Sequence, residues 1–211
     1  MLTEVNSETY PDFKEKLDNY FNLYLKSDAP WAIALDLRTM DLSQLILDDF
    51  FLRGADMRHS NLVHSQFYSA NLINAKMHGV DLKEADCRGA VMDDVLMARS
   101  VLSDADLTGA NLARSDLQTT MARRVKLDRA QCSNAWLMGS DFDGASFKRT
   151  DMRGCDLRGS RLRNADLRRA DLLGARLADC DLTGARLDGA LLDPGVYDTI
   201  VESHRIVPLT G

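Results

Sequence analysis

The residues that could do chemistry are few and badly placed for it. Four cysteines stand at Cys87, Cys132, Cys155 and Cys180, and four histidines at His59, His64, His78 and His204. Thiols of this kind serve as nucleophiles, disulfides or metal ligands, but no CxxC pair and no disulfide framework occurs. They read as small buried hydrophobes in a reducing compartment. Metal binding needs converging ligands with supporting partners, and two histidines on neighbouring surface positions do not supply them. Aspartates recur throughout and would serve as acid–base pairs if two converged. No nucleophile elbow, phosphate loop or dinucleotide fingerprint accompanies them. The residues therefore lead us to expect no enzyme activity, no cofactor and no metal.

What positions these residues is a repeat of five. The chain has 211 residues, a formal net charge of −6 and 45% hydrophobic residues, which excludes a disordered chain and fits one domain with small appendages. Every fifth position from Leu37 to Leu192, here called i, gives 32 positions, of which 21 are Leu, five Met, three Phe, two Cys and one Ala (Ala122). Position i−2 is small, with 15 Ala and six Ser, except at Leu35, Met40, Leu45 and Phe50. Eleven of the 13 glycines fall at i+2. Positions i−1 and i+1 are mostly polar. A period of five fits neither helix nor strand. It requires a change of direction every five residues, with two side chains inward and glycine suiting a turn with unusual backbone angles. All four prolines (Pro11, Pro30, Pro194, Pro208) lie outside 31–193. This suits a backbone whose N–H groups are committed to ladders.

The runs Ala105–Leu112 (ADLTGANL) and Ala165–Ala175 (ADLRRADLLGA) resemble the pentapeptide-repeat proteins, and the resemblance covers 35–194. It implies an all-β fold, a right-handed quadrilateral β-helix in which four pentapeptides make one square coil. On that basis the 32 repeats give about eight coils, a prism about 38 Å long at the ~4.8 Å spacing of paired strands.

Three segments follow. Residues 1–34 form an N-terminal helical cap, with Phe13, Leu17, Tyr20, Phe21, Tyr24 and Leu25 at helical spacing after Pro11. That helix either caps the rod or docks a partner. Residues 35–194 are the β-helix. The apolar tail 195–211 caps the last coil or pairs two molecules, and the resemblance implies a homodimer through the C-terminal end. With no basic-then-apolar leader and no long apolar run, the chain reads as soluble and cytoplasmic, away from membranes.

The informative charge lies on two sides of the prism. Number the pentapeptides of each coil as faces 1 to 4, with i at 37, 42, 47 and 52 in coil 1. On faces 2 and 3 of coils 1–4, Asp41, Asp48, Asp49, Asp81, Glu84, Asp86, Asp104 and Asp106 outweigh Lys83 and Arg88, for a sum of −6. On the same faces of coils 5–7, Arg123, Arg124, Lys126, Arg129, Lys148, Arg149, Arg161, Arg163, Arg168 and Arg169 outweigh four aspartates, for a sum of +6. Such a surface either is solvated by local ion pairs or orients an acidic or phosphate-bearing partner. Without interleaved aromatics, direct nucleic-acid binding is not expected. Outward apolar residues gather at Phe51, Ile73 and Val91 on face 4, and at Leu96, Val101, Met121, Trp136 and Met138 on faces 1 and 2. An exposed Trp and Met on a rigid rod read as an interface, while the face 4 group reads either as an interface or as the contact for the N-terminal helix.

The sequence thus points to a non-catalytic protein-interaction rod or scaffold. The resemblance adds an alternative, a DNA-mimicking modulator of DNA gyrase or topoisomerase IV that confers resistance to topoisomerase poisons. Members of that type are acidic rods. The near-neutral prism and the basic sector here depart from them.

Overall fold

The computed structural model describes Glu15 and residues 34–196. The helical cap expected over 1–34 and the tail expected over 195–211 fall, apart from Glu15 and the few residues next to the rod, outside the described residues. Over 36–191 the chain winds as a four-sided β-helix. Twenty-eight parallel bridges join each i−1 residue to its counterpart four pentapeptides later, from Asp36↔Asp56 to Asp171↔Leu191. Four pentapeptides therefore close one coil, and the spacing never slips.

The accounting of backbone N–H groups shows why five residues suffice, with Ala105–Gly109 as the example. Ala105 donates to Leu102 O at 3.1 Å and closes a turn. Asp106 donates to Ala85 O in the coil before, and Leu107 and Gly109 donate to Lys126 O and Asp128 O in the coil after. The fifth donor, Thr108 N–H, has no backbone acceptor and bonds instead to Asp106 Oδ1 at 3.0 Å. Sixteen repeats satisfy the i+1 donor in this way, among them Asp56 to Arg58 and Asp166 to Arg168. Asp and Asn precede the inward residue because their short side chains reach a backbone group two residues on. On face 3, where Gln66 and Ser146 stand at i−1, the preceding coil substitutes: Tyr68 N–H bonds to Asp48 Oδ1 and Lys148 N–H to Asp128 Oδ1.

Every i+2 residue from Thr39 to Gly189 has positive φ, and 20 of these are not glycine. A turn closed from i to i+3 with φ > 0 only at its third residue has the type II pattern. This adds a second reason for the absence of proline, whose ring locks φ on the negative side. The first proline after the repeats begin is Pro194, at the i+2 position of the last one, and the pattern stops there.

The i side chains fill the interior, and Leu37, Phe67, Leu107 and Phe147 are fully buried. Phe142 and Phe147, on adjacent faces of coil 6, meet edge to face at 5.3 Å. The i−2 hydroxyls have a role that size alone did not indicate. Ser60 Oγ donates to Leu37 O and Thr150 Oγ1 to Leu127 O, each reaching back to the preceding coil. Ser65 and Ser115 donate to the carbonyl of their own turn, on Leu62 and Leu112. Among the described residues no buried side-chain N or O lacks a partner.

Candidate interaction surface

The rod presents i−1, i+1 and i+2 side chains outward, with those of successive coils stacked in columns. In the acidic sector, coils 1–4, half of the carboxylates are already engaged with cations. Asp86 takes both Nε and Nη2 of Arg88, and this bonding holds its carboxyl below the usual range. Asp104 binds Arg124 at 2.7 Å and Asp106 lies 3.4 Å from Lys126, so the boundary between the two sectors is stitched by pairs across coils. Glu84 lies 3.3 Å from Lys83 and 3.5 Å from His64. Asp41, Asp48, Asp49 and Asp81 have no cation partner among the described residues.

The basic sector is neutralised further. Arg123 pairs with Asp143 at 2.8 Å, Lys148 with Asp128 at 3.2 Å, Arg163 with Asp181 at 3.3 Å and Arg168 with Asp166 at 2.6 Å, while Arg161 lies 3.9 Å from Asp141. Of the sector's ten cations, Arg129, Arg149 and Arg169 have no carboxylate partner among the described residues. They occupy one column, the i+2 position of face 3 in coils 5, 6 and 7, at φ of 59°, 58° and 60°. Beside them a shallow depression of about 590 Å³ is lined by Asp128, Arg129, Lys148, Arg149, Arg168, Arg169, Arg186 and Asp188. The depression exists because long side chains stand up from a flat face.

The apolar residues fall on the same outward positions. Trp136 is 52% exposed and Met121 55%, while Leu96 is also exposed. Val101 and Met138 are half-buried. Arg158, held by Asp156, brings Nη2 to 3.2 Å from Met138 Sδ. Leu96 and Trp136 share the i−1 column of face 1 with Asp116 between them. Phe51 is exposed, with Asn71 between it and Val91 in one column, and Ile73 is half-buried. Ile46, Tyr68, Leu173 and Leu191 are exposed as well and are missing from the sequence-based clusters. The rule that found Trp136, a large apolar residue at i−1 or i+1, finds them too. The Tyr68 ring lies 5.7 Å from the Arg88 guanidinium carbon.

All four cysteines are buried and unpaired. Burial pushes the Cys87 and Cys155 thiols up to about 12. No two cysteines occupy equivalent positions of adjacent coils. Cys155 Sγ nonetheless donates to Cys132 O at 2.8 Å, the same contact to the preceding coil that Ser60 and Thr150 make. Among the described residues no group of His, Cys, Asp and Glu is arranged to hold a metal ion, and no helix is long and apolar enough to cross a membrane.

A stack of near-identical coils, each bonded only to its neighbours, defines a repeat solenoid. The family model for Pentapeptide repeats matches residues 41–72, 52–86, 81–118, 126–164 and 155–193, in eight copies. The chain belongs to that family. No curated protein matches it. Among solved structures it is similar to HetL, a pentapeptide repeat protein involved in heterocyst differentiation regulation in Nostoc sp. strain PCC 7120, with 25% identity, 76% of this chain and 88% of that one covered and a TM-score of 0.48. It is also similar to QnrB1, a plasmid-mediated fluoroquinolone resistance protein, with 21% identity, 74% and 86% coverage and a TM-score of 0.40. A pentapeptide repeat protein of the Arabidopsis thaliana thylakoid lumen shows 26% identity, 63% and 71% coverage and a TM-score of 0.29.

Proposed function

We propose that the chain is a rigid, non-catalytic protein-interaction rod. The observation that carries this reading is the exposed Trp136, with Leu96 in its column and Met121 on the next face, on a backbone bonded coil to coil. Large apolar side chains cost free energy in water and recover it against a partner. A scaffold that does not reorganise loses little conformational entropy on binding. The test is affinity capture from native lysate with the wild-type chain, with Trp136→Ala, and with Arg161, Arg163, Arg168 and Arg169 changed to Ser. Loss of a discrete partner in either variant supports the reading. An unchanged set of partners removes both surfaces from the interface.

A second reading, a modulator of DNA gyrase or topoisomerase IV that imitates DNA, draws on Asp41, Asp48, Asp49 and Asp81, the carboxylates of coils 1–3 without cation partners among the described residues. Titration into a gyrase supercoiling reaction, with and without a fluoroquinolone, decides it. Neither inhibition nor protection at tens of micromolar protein would remove this reading.

A further inference from the structure

Face 3 carries a charge pattern that is self-complementary when reversed end to end. Its outward columns, read from coil 1 to coil 7, run Ile46, Gln66, Asp86, Asp106, Lys126, Ser146, Asp166 at i−1 and Asp48, Tyr68, Arg88, Thr108, Asp128, Lys148, Arg168 at i+1. At i+2 they run Asp49, Ser69, Gly89, Gly109, Arg129, Arg149, Arg169. Now lay a second copy face to face with the axes antiparallel, on a dyad that crosses the rods at coil 4. Coil 1 then faces coil 7, coil 2 faces coil 6, and coil 3 faces coil 5. Because the dyad lies in the contact plane, each column faces itself reversed. Asp49 meets Arg169, two charges without ion-pair partners among the described residues. Asp48 meets Arg168, Asp86 meets Lys126 and Arg88 meets Asp128, each pair occurring twice and joining networks in which Arg168, Asp86, Arg88, Lys126 and Asp128 already have partners in their own chain. Ser69 offers a hydroxyl to Arg149, which has no carboxylate partner among the described residues. Gly89, with no side chain, leaves room for Arg129. The Tyr68 ring meets Lys148, and Ile46 meets Asp166, whose charge its own Arg168 already balances. At the dyad Thr108 meets Thr108 and Gly109 meets Gly109, small residues that allow close approach. The one like-charge meeting is Asp106 with itself, and each Asp106 already has Lys126 of its own chain 3.4 Å away.

We propose that face 3 is the contact surface of an antiparallel, side-by-side homodimer. This goes beyond the interaction-rod reading and does not depend on it. Three features carry it. Arg129, Arg149 and Arg169, without carboxylate partners among the described residues, lie in coils 5 to 7 of this face, and Asp48 and Asp49, without cation partners among the described residues, lie at its coil 1 end. The two copies share one coil rise, so every pair stays in register along the contact. The contact is isologous and therefore closes at two copies. Charge pairs set register and partner choice at such an interface, and salt weakens them.

Sedimentation velocity of the full chain tests the proposal. The wild type should be dimeric at low salt and weaken steeply as sodium chloride rises to about 0.5 M. Asp49 and Arg169 have no ion-pair partner among the described residues, so D49R and R169D leave the rod intact, which circular dichroism checks. Each variant alone should weaken the dimer about tenfold or more. Mixed together, they should restore a 1:1 heterodimer, because each reversed charge then faces its opposite. T108C should form a disulfide-linked dimer on oxidation, while S69C, which faces Arg149, should not. A wild type that is monomeric at low salt overturns the proposal, as does a dimer unaffected by either reversal. T108C that fails to cross-link overturns it too, and a dimer seen in that case belongs to another surface. If the arginine column instead takes an external anion, R169D loses binding of that anion, the wild type stays monomeric, and the proposal fails.

Discussion

Each aspartate before an inward residue bonds a backbone N–H that no ladder reaches, and many also anchor an arginine. Asp156 does both. It accepts from Arg158 N–H at 3.3 Å, takes Nε and Nη2 of Arg158, and lies 3.3 Å from Arg176 Nη1. Asp156→Ala should therefore lower stability by about 1–2 kcal/mol, the scale of a lost cap. Asp156→Asn should cost less, since an amide oxygen still meets the backbone donor. Urea unfolding of the two variants checks the order, and equal losses would mean that the ion pairs dominate. That aspartate is common at i−1 was legible in the sequence. Its hydrogen-bonding role was not, because the unpaired donor appears only when all five N–H groups are traced in three dimensions.

The element of this fold is the pentapeptide, a short bridge and a type II turn, and no single one is stable alone. Each depends on the neighbouring coils on either side for three of its five backbone donors. A break inside the stack therefore removes support from both sides. Leu107 is fully buried at mid-rod. Leu107→Asp places a carboxylate where nothing can pair with it and should cost about 3–5 kcal/mol or unfold the rod. Asp106→Asn, one residue away and outward, should be nearly silent. Thermal melts of the pair test the inward and outward assignment directly, and matching behaviour would reject it.

For the whole molecule, charge links stability to pH. Arginine hydrogen bonds hold the carboxyls of Asp56, Asp86, Asp104, Asp151, Asp156 and Asp166 below their usual value. A lowered folded value means that the unfolded chain binds protons first, so this stabilisation is full above about pH 4–5 and is lost as the pH falls further. The buried thiols act in the opposite direction. Cys87 and Cys155, pushed up to about 12, stabilise fully below the ordinary thiol value of about 8.5, and the effect is lost as the pH rises beyond it. The melting temperature should therefore be flat through neutrality and fall on both sides. A melting temperature that rose on acidification would contradict the pairing.

By itself the sequence determined the coil. A strict period of five with Leu or Phe inward, small residues beside them and glycine at the turn leaves few chain paths, because a one-residue slip would turn every buried side chain outward. Trp136 was also legible because it breaks the polar rule at outward positions, and the two charged sectors because the period assigns each charge to a face and a coil. Tertiary structure alone decided which charges are free. Arg124 and Asp104 lie a full coil apart along the chain yet 2.7 Å apart in space. Six such pairs across coils, with Arg168 and Asp166 inside one repeat, leave three stacked arginines of the sector's ten cations without a carboxylate partner among the described residues. The reason is geometric: stacking makes neighbours of residues separated by a whole coil, so the net charge of a face follows from composition, while its uncompensated charge depends on which side chains meet.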